Sequence, residues 1–294
     1  HVQRIRYLVS GGVCYVKVYL VTDMEGVSGV SGFDVRDSSR PQDVELRRVW
    51  SALWIGEVNA AVEGAVAAGA THVLVLDNHG PGDTLAAEAL ASPAQLLHGG
   101  RRDSWLTQLD ASYDAVVIIG QHAMAGASGG HLRHTYSRRR LERVSLYEAE
   151  KAHTEIGEIG LIVGIAGEFE LPVVFLSGDE AATAEIEALV PGVETAAVKK
   201  GLSRECCISL AAADSCDRIR TGVERALRQR HQVNPQRIEP PIELCLRYAS
   251  RCGWRAAARW LRGGQGLSWR PMRDLRVRGD SMRQTWDRAI GLAR

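Results

Sequence analysis

The chain has 294 residues, of which 24% are charged and 45% are hydrophobic, and its formal net charge is +1. This length suggests one large domain or two modest ones, with enough residues to bury a core. A net charge so close to zero argues against general electrostatic binding to nucleic acids. No apolar stretch approaches the ~20 residues that are needed to span a bilayer.

Strand-like and helix-like segments alternate along the chain. The predicted strands cover residues 17–22, 72–76, 115–119 and 172–176, and the predicted helices cover residues 44–68, 84–90, 155–169, 180–189 and 209–232. This alternation predicts an α/β fold with a mainly parallel sheet and flanking helices.

The predicted organisation consists of an N-terminal extension, two domains and a linker. Residues 1–15 lack a convincing signal-peptide pattern, and we interpret them as an N-terminal extension. A Pro-rich stretch at residues 234–241 predicts a linker. We expect a metal-binding catalytic α/β domain over residues 16–203 and a smaller C-terminal α/β domain over residues 204–294.

The six cysteines contain no C-x-x-C pair, which argues against a structural zinc knuckle. Free thiols in a reducing cytoplasm are therefore expected.

The composition changes near the C-terminus, where residues 251–294 are rich in Arg and Trp. One interpretation is a nucleic-acid surface, on which Arg and aromatic rings stack with bases. We favour a solvated or oligomeric face with Trp in the core, because the rest of the chain has no basic footprint. The chain also lacks a G-x-G-x-x-G pattern after its first strand and any Walker-type loop.

Three predicted strands end on side chains that can bind metals. The residues at these ends are Asp23-Met24-Glu25, Asp77-Asn78-His79 and Gly120-Gln121-His122. The carboxyl ends of neighbouring parallel strands meet at one edge of a sheet, where ligands bind. Each motif alone also fits a solvated loop or a core histidine, but together they predict a site for a divalent ion such as zinc.

Other candidate groups follow the third strand. A loop rich in Ala and Gly, residues 123–130, leads to His131 and His134. A histidine that lies near a metal without binding it can act as a general base, a general acid or a nucleophile. Glu158 lies near the start of a predicted helix, where a carboxylate is also favoured by the helix dipole alone.

An ordered set of short motifs resembles the D-aminopeptidase DppA family (peptidase family M55). The resemblance is firm over residues 16–235, and the motifs are Asp-Met-Glu-Gly at 23–26, Asp-Asn-His-Gly at 77–80, Gly-Gln-His-Ala-Met-Ala-Gly at 120–126, His-Thr at 134–135, Gly-Glu-Ile-Gly-Leu at 157–161, Ser-Gly-Asp-Glu at 177–180 and Thr-Ala-Ala-Val-Lys at 195–199.

The resemblance implies a zinc-dependent aminopeptidase that hydrolyses short peptides with an N-terminal D-residue. It implies two zinc ions (Zn2+) per subunit, and the five residues that it matches to ligands are Asp23, Glu25, His79, His122 and Glu158. It also implies that His134 is the catalytic histidine, as nucleophile, base or oxyanion stabiliser, because His131 falls where the family usually has an apolar residue. The alternative is another metal-dependent amide hydrolase on the same fold.

Three further expectations follow from the resemblance. The family implies a homo-oligomer, of which a decamer is one form. Asp77 is not among the matched ligands, and we expect it to orient His79 from outside the metal site. The segment from Arg138-Arg139-Arg140 to Lys151 looks longer and more charged than the family's hairpin, a departure that bears on the choice of substrate.

Overall fold

The structure is a computed structural model, and residues 15–148, 153–249, 267–269 and 273–292 are described. Most of the N-terminal extension and much of the Arg- and Trp-rich segment lie outside these residues. Among the helices within these ranges, none has the length and apolar character that crossing a bilayer requires.

The elements are numbered along the chain. The strands are β1 (Val16–Thr22), β2 (Ala70–Asp77), β3 (Ala94–Leu97), β4 (Ala115–Gln121), β5 (Leu141–Glu148), β6 (Thr154–Glu155), β7 (Val173–Asp179), β8 (Glu194–Ser203), β9 (Cys206–Ser209), β10 (Ile242–Tyr248), β11 (Leu267–Trp269) and β12 (Asp274–Gly279). The α-helices of the described residues are α1 (Pro41–Ala67), α2 (Glu158–Glu168), α3 (Glu180–Leu189), α4 (Ala212–Arg228) and α5 (Met282–Ile290).

Two sheets organise the fold. The larger has the strand order β3–β2–β1–β4–β7–β8–β9, and its neighbours are parallel except for the antiparallel pair β8–β9. The smaller has the order β11–β12–β10–β5–β6 and is antiparallel. The predicted α/β fold with a mainly parallel sheet and flanking helices is confirmed, and the structure contains a second, smaller sheet.

The larger sheet forms the centre of the core. Strands β1 and β4 are buried almost throughout, as continuous apolar runs in parallel sheets usually are. Helices α1 and α4 pack on each other and on this sheet, whereas α2 packs between α3 and α5, the helix that contacts the smaller sheet. The small residues of α2 permit this close packing, since a Cβ at Gly164 would lie 3.0 Å from the Met282 side chain.

The structure differs from the sequence predictions in several segments. The helix predicted over residues 84–90 is only a short 3₁₀ turn at Ala87–Ala89, and of the described strands only β1, β2, β4 and β7 correspond to predicted ones. The helix predicted over residues 209–232 is wrong at its start, where β9 ends, and wrong at its end, where a 3₁₀ turn replaces it.

The two sheets do not follow the predicted domain boundary at residue 203. Strands β5 and β6 precede that residue and join the smaller sheet, whereas β9 and α4 follow it and pack with the larger sheet. The Pro-rich stretch 234–241 leads from α4 to β10. The division of the chain into domains stays a prediction.

The contact between α1 and α4 yields a test of packing. A Cβ at Gly64 would lie 2.3 Å from the backbone oxygen of Arg220, whereas a Cβ at Gly56 would lie 3.7 Å from the sulfur of Cys216. We expect Gly64→Ala to lower the free energy of unfolding by about 1–3 kcal/mol through overpacking. Gly56→Ala, on the same helix, should be neutral or stabilise by up to ~1 kcal/mol. Urea unfolding measures both, and equal effects would contradict the close approach.

Candidate metal centre

The candidate site lies where the strand order of the larger sheet reverses. Strand β1 lies between β2 and β4, so the chain leaves β1 on one side and returns on the other, which is where ligands bind in open α/β sheets. The backbone N–H of Asp23 donates to Ile119 at 2.9 Å, and that of Asn78 donates to Thr22 at 3.0 Å. These bonds hold the three strand ends side by side.

Asp23, Glu25 and His79 form the first group of candidate ligands. One donor atom from each lies within 4.8 Å of the others, and all three residues are buried. The Nδ1 atom of His79 lies 2.9 Å from a carboxylate oxygen of Asp23 and 2.9 Å from one of Glu25.

His122, His134 and Glu158 form the second group, with the same spread of donor atoms. The Nε2 atom of His122 lies 3.3 Å from Oε1 of Glu158 and 3.4 Å from Oδ2 of Asp23. Asp23 therefore directs Oδ1 to the first group and Oδ2 to the second. A carboxylate in this position can bridge two metal ions.

His134 and His131 have different surroundings. The ring of His134 stacks on that of His122 with centroids 3.9 Å apart, and its Nδ1 donates to the backbone oxygen of Leu132 at 2.9 Å. His131 belongs to neither group, and its backbone N–H donates to Asp179 at 2.6 Å. Burial, together with the charge of Lys199, lowers the pKa of His131 to about 4.

The electrostatics of the two groups favour positive charge. Burial alone would lower the pKa of His79 and His122, but the surrounding carboxylates raise both pKa values well above the usual range. Burial alone would raise the pKa of Asp23, but the close imidazoles of His122 and His79 hold it well below the usual range. Burial and the positive charge of His122 lower the pKa of His134.

Asp34 is a functional candidate that sequence reasoning missed. Its Oδ2 lies 3.3 Å from Nε2 of His79, and its carboxylate also pairs with Arg36 at 2.6 Å and Arg47 at 3.3 Å. Burial alone would raise the pKa of Asp34, but His79 and the two arginines lower it to about 2. Asp34 lies in the long loop after β1 and outside every motif, so no local signal distinguishes it.

Asp77 accepts hydrogen bonds from backbone N–H groups and none from the imidazole of His79. Its Oδ1 accepts from the backbone N–H of His79 at 3.2 Å, and its Oδ2 accepts from those of Thr84 and Leu85 at 2.9 and 3.0 Å. Asp77 therefore shapes the loop that carries His79, while Asp34 contacts the ring. A carboxylate on the far nitrogen of a ligand histidine fixes its tautomer and orientation.

Lys199 supports the loop that carries Asp23 and Glu25. It is 3% exposed, and its ammonium group donates to the backbone oxygens of Glu25 and Val30, the latter at 2.9 Å. Burial lowers its pKa to about 8, although nearby carboxylates oppose the shift. Lys199 is the last residue of the Thr-Ala-Ala-Val-Lys motif at 195–199, but no local pattern indicates a role for it at the site.

The residues present fit a divalent metal. Nε2 of His122 and Oε2 of Glu25 are buried, and each lies against another candidate ligand, at 3.3 Å from Oε1 of Glu158 and at 2.9 Å from Nδ1 of His79, without the geometry of a well-formed hydrogen bond. Carboxylates and imidazoles, of which the site has three and two, are donors that zinc takes in proteins, and a catalytic zinc keeps one position open for substrate or water. The two groups thus offer two neighbouring places for a cation.

A cavity of ≈1320 Å³ opens onto both groups. Asp23, Glu25, His79, His134 and Glu158 are among the residues that line it. The volume exceeds that of an ordinary small-molecule pocket, so a short peptide can fit beside the candidate ligands.

Comparisons with known proteins agree with this geometry. The model of the peptidase M55 family, described as D-aminopeptidase, matches residues 16–287. The chain belongs to the D-aminopeptidase family. A D-aminopeptidase of Bacillus subtilis (strain 168) is 31% identical over 234 residues, which are 77% of this chain and 78% of the relative.

A solved structure gives the same assignment. The Zn-dependent D-aminopeptidase DppA from Bacillus subtilis, described as a self-compartmentalizing protease, matches with a TM-score of 0.80 and 25% identity over 94% of this chain and 96% of that chain. As a member of the D-aminopeptidase family, the chain is a hydrolase of the metallo-aminopeptidase class.

The contacts of Lys199 predict its effect on stability. Lys199→Met leaves two buried backbone oxygens without their donor, and we expect a loss of about 1–3 kcal/mol in the free energy of unfolding. The matched control is Lys200→Met, because Lys200 is 56% exposed and makes one ion pair of 3.4 Å with Glu180. A surface pair is worth ~0–1 kcal/mol. Urea unfolding that shows equal losses for the two variants would contradict the role of Lys199.

Proposed function

We propose that this chain is a zinc-dependent aminopeptidase that hydrolyses short peptides with an N-terminal D-residue. The position of Asp23 between two groups of donors is the observation that carries the proposal. Two adjacent metals that share a carboxylate are a common arrangement for hydrolysis of amide bonds. The zinc dependence and D-aminopeptidase activity of the Bacillus subtilis relatives support the choice of metal and substrate.

Five residues would hold the zinc ions. Asp23 would bridge them, Glu25 and His79 would complete one position, and His122 and Glu158 would complete the other. When bound, the ions supply Lewis acidity at the scissile carbonyl and lower the pKa of a water molecule. Asp34 keeps the Nδ1 atom of His79 directed at the site through its contact with Nε2.

His134 is the proposed proton-transfer residue. A backbone carbonyl can only accept, so the hydrogen bond to Leu132 places the proton of the neutral ring on Nδ1. Nε2 is then free to take a proton from the attacking water and to return it to the leaving amine. His134 lines the cavity beside Glu158, where this transfer has to occur.

The proposal includes assembly into a homo-oligomer. The relative of solved structure is a self-compartmentalizing protease. Several apolar side chains of α1 are exposed in the single chain, among them Val44 at 56% and Val49 at 41%, and they are suited to burial between subunits. A decamer and a cytoplasmic location stay predictions.

The substrate and the metal are tested together. We expect the purified protein to contain two zinc ions per chain by elemental analysis and to hydrolyse D-Ala-D-Ala faster than L-Ala-L-Ala. Asp23→Asn should lose zinc and activity, because it removes the shared carboxylate, whereas Asp37→Asn, an exposed position at the cavity wall, should keep both. Hydrolysis of L-peptides or non-peptide amides alone would indicate another metal-dependent amide hydrolase.

A second pair of variants separates ligand from proton-transfer residue. We expect His134→Gln to keep both zinc ions and to lower kcat by about 10²–10⁴-fold, the usual contribution of general acid–base catalysis. Glu158→Gln should lower zinc content as well as kcat. Zinc analysis beside steady-state kinetics distinguishes the two outcomes. Loss of zinc in His134→Gln would make His134 a ligand, as its place in the second group would also permit.

A further inference from the structure

Four arginines of the cavity wall have no carboxylate partner among the described residues. This arginine wall consists of Arg102, Arg138, Arg139 and Arg140. The fifth cavity arginine, Arg36, differs because it is paired with Asp34 at 2.6 Å. The wall therefore carries positive charge that nothing described in the chain neutralises by direct contact.

The fold holds two of these guanidinium groups in place. Arg102 is partly buried and donates to the backbone oxygens of Gly99 and Asp77. A Cβ at Gly82 would lie 1.9 Å from a nitrogen of Arg102, so the absence of a side chain there leaves room for the guanidinium. The guanidinium carbon of Arg138 lies 4.5 Å from the ring centroid of Phe33.

The wall is close to the candidate catalytic residue. The ring of Phe33 lies 5.7 Å from that of His134, and Arg138 stacks on the same ring at 4.5 Å. These two distances limit the separation of the Arg138 guanidinium and the His134 ring to at most about 10 Å, the span of about three extended residues of ~3.3–3.6 Å each. A short peptide can therefore reach from the metal groups to Arg138.

We propose that the arginine wall binds a carboxylate of the peptide substrate and thereby selects short peptides with a free C-terminus. The proposal rests on the proposed aminopeptidase function, which places the amino end of the peptide at the metal groups. Guanidinium groups pair with carboxylates through two parallel hydrogen bonds and keep their charge at every physiological pH. The same contact could be made by an acidic side chain near the C-terminus, and the experiment separates the two sources.

The wall also opposes other ligands. A C-terminal amide offers no negative charge, and a basic residue at that position would meet like charge. A longer peptide would carry its terminal carboxylate past Arg138 and lose the pairing. The arginine wall would thus attract peptides with a free C-terminal carboxylate and repel those with a basic residue at that position.

The experiment compares tri-D-alanine with its C-terminal amide on the zinc-loaded protein. We expect the free acid to be preferred by roughly ten- to a hundredfold in kcat/KM, the range of one hydrogen bond between charged groups. The difference should lie mainly in KM, because the carboxylate is remote from the reacting bond. Arg138→Gln and the double variant Arg139→Gln/Arg140→Gln should reduce the preference towards one. Arg101→Gln, an exposed neighbour outside the cavity, should keep it.

A peptide amide that ends in glutamate identifies the source of the carboxylate. If this peptide is hydrolysed as fast as the free acid, the arginine wall accepts a carboxylate from an acidic side chain. If it is hydrolysed as slowly as the amide, the arginine wall binds the C-terminal carboxylate. Both results require that Arg138→Gln removes the preference.

Binding provides a readout that does not depend on turnover. Uncleavable reduced-amide analogues of the same acid and amide are titrated calorimetrically into the zinc-loaded protein, and the acid should bind tighter by a similar factor. Equal hydrolysis and equal affinity would overturn the inference while the proposed function stands. Failure to hydrolyse either peptide would refute the proposed function, and the affinity ratio would still decide whether the wall binds a carboxylate.

Discussion

The structure depends on the burial of Asp23, Glu25 and Glu158 where the strand order reverses. Buried carboxylates are costly unless they are paired and hydrogen-bonded. The chain compensates them with the imidazoles of both groups and with backbone N–H groups, such as those of Met24 at 2.8 Å from Asp23 and Tyr136 at 2.7 Å from Glu158. A bound cation would complete this compensation, so the stability of the strand ends and the affinity for metal are coupled.

Much of the candidate site could be predicted because its signals are local or ordered along the chain. Asp23 and His122 directly follow apolar strands, and the carboxyl ends of neighbouring parallel strands meet at one edge of a sheet, so these positions come together. Glu158 was found through motif order alone, since a carboxylate at a helix start has a simpler explanation. Asp34 and Lys199 could not be found, because their roles arise from side chains that reach other segments through the tertiary structure.

The same reason explains the errors in the fold. Strand β5 pairs with β10, for example Leu146 with Leu244, so nothing near β5 in sequence indicates its partner. His131 and His134 look alike in sequence, yet the backbone of His131 is tied to Asp179 at the end of β7 whereas His134 turns towards His122. Leu132, between them, has a φ of 52°, a turn that its residue type does not predict.

The candidate metal ligands and the arginine wall line the same cavity. The three carboxylates of the metal groups are compensated by imidazoles and, with metal bound, by the ions, whereas the arginine wall has no carboxylate partner among the described residues. A short peptide supplies one carboxylate at its C-terminus, which the arginine wall would bind. In the proposed function the amino end of the peptide lies at the metal groups and His134, so binding of the C-terminus would help to position the first peptide bond for cleavage.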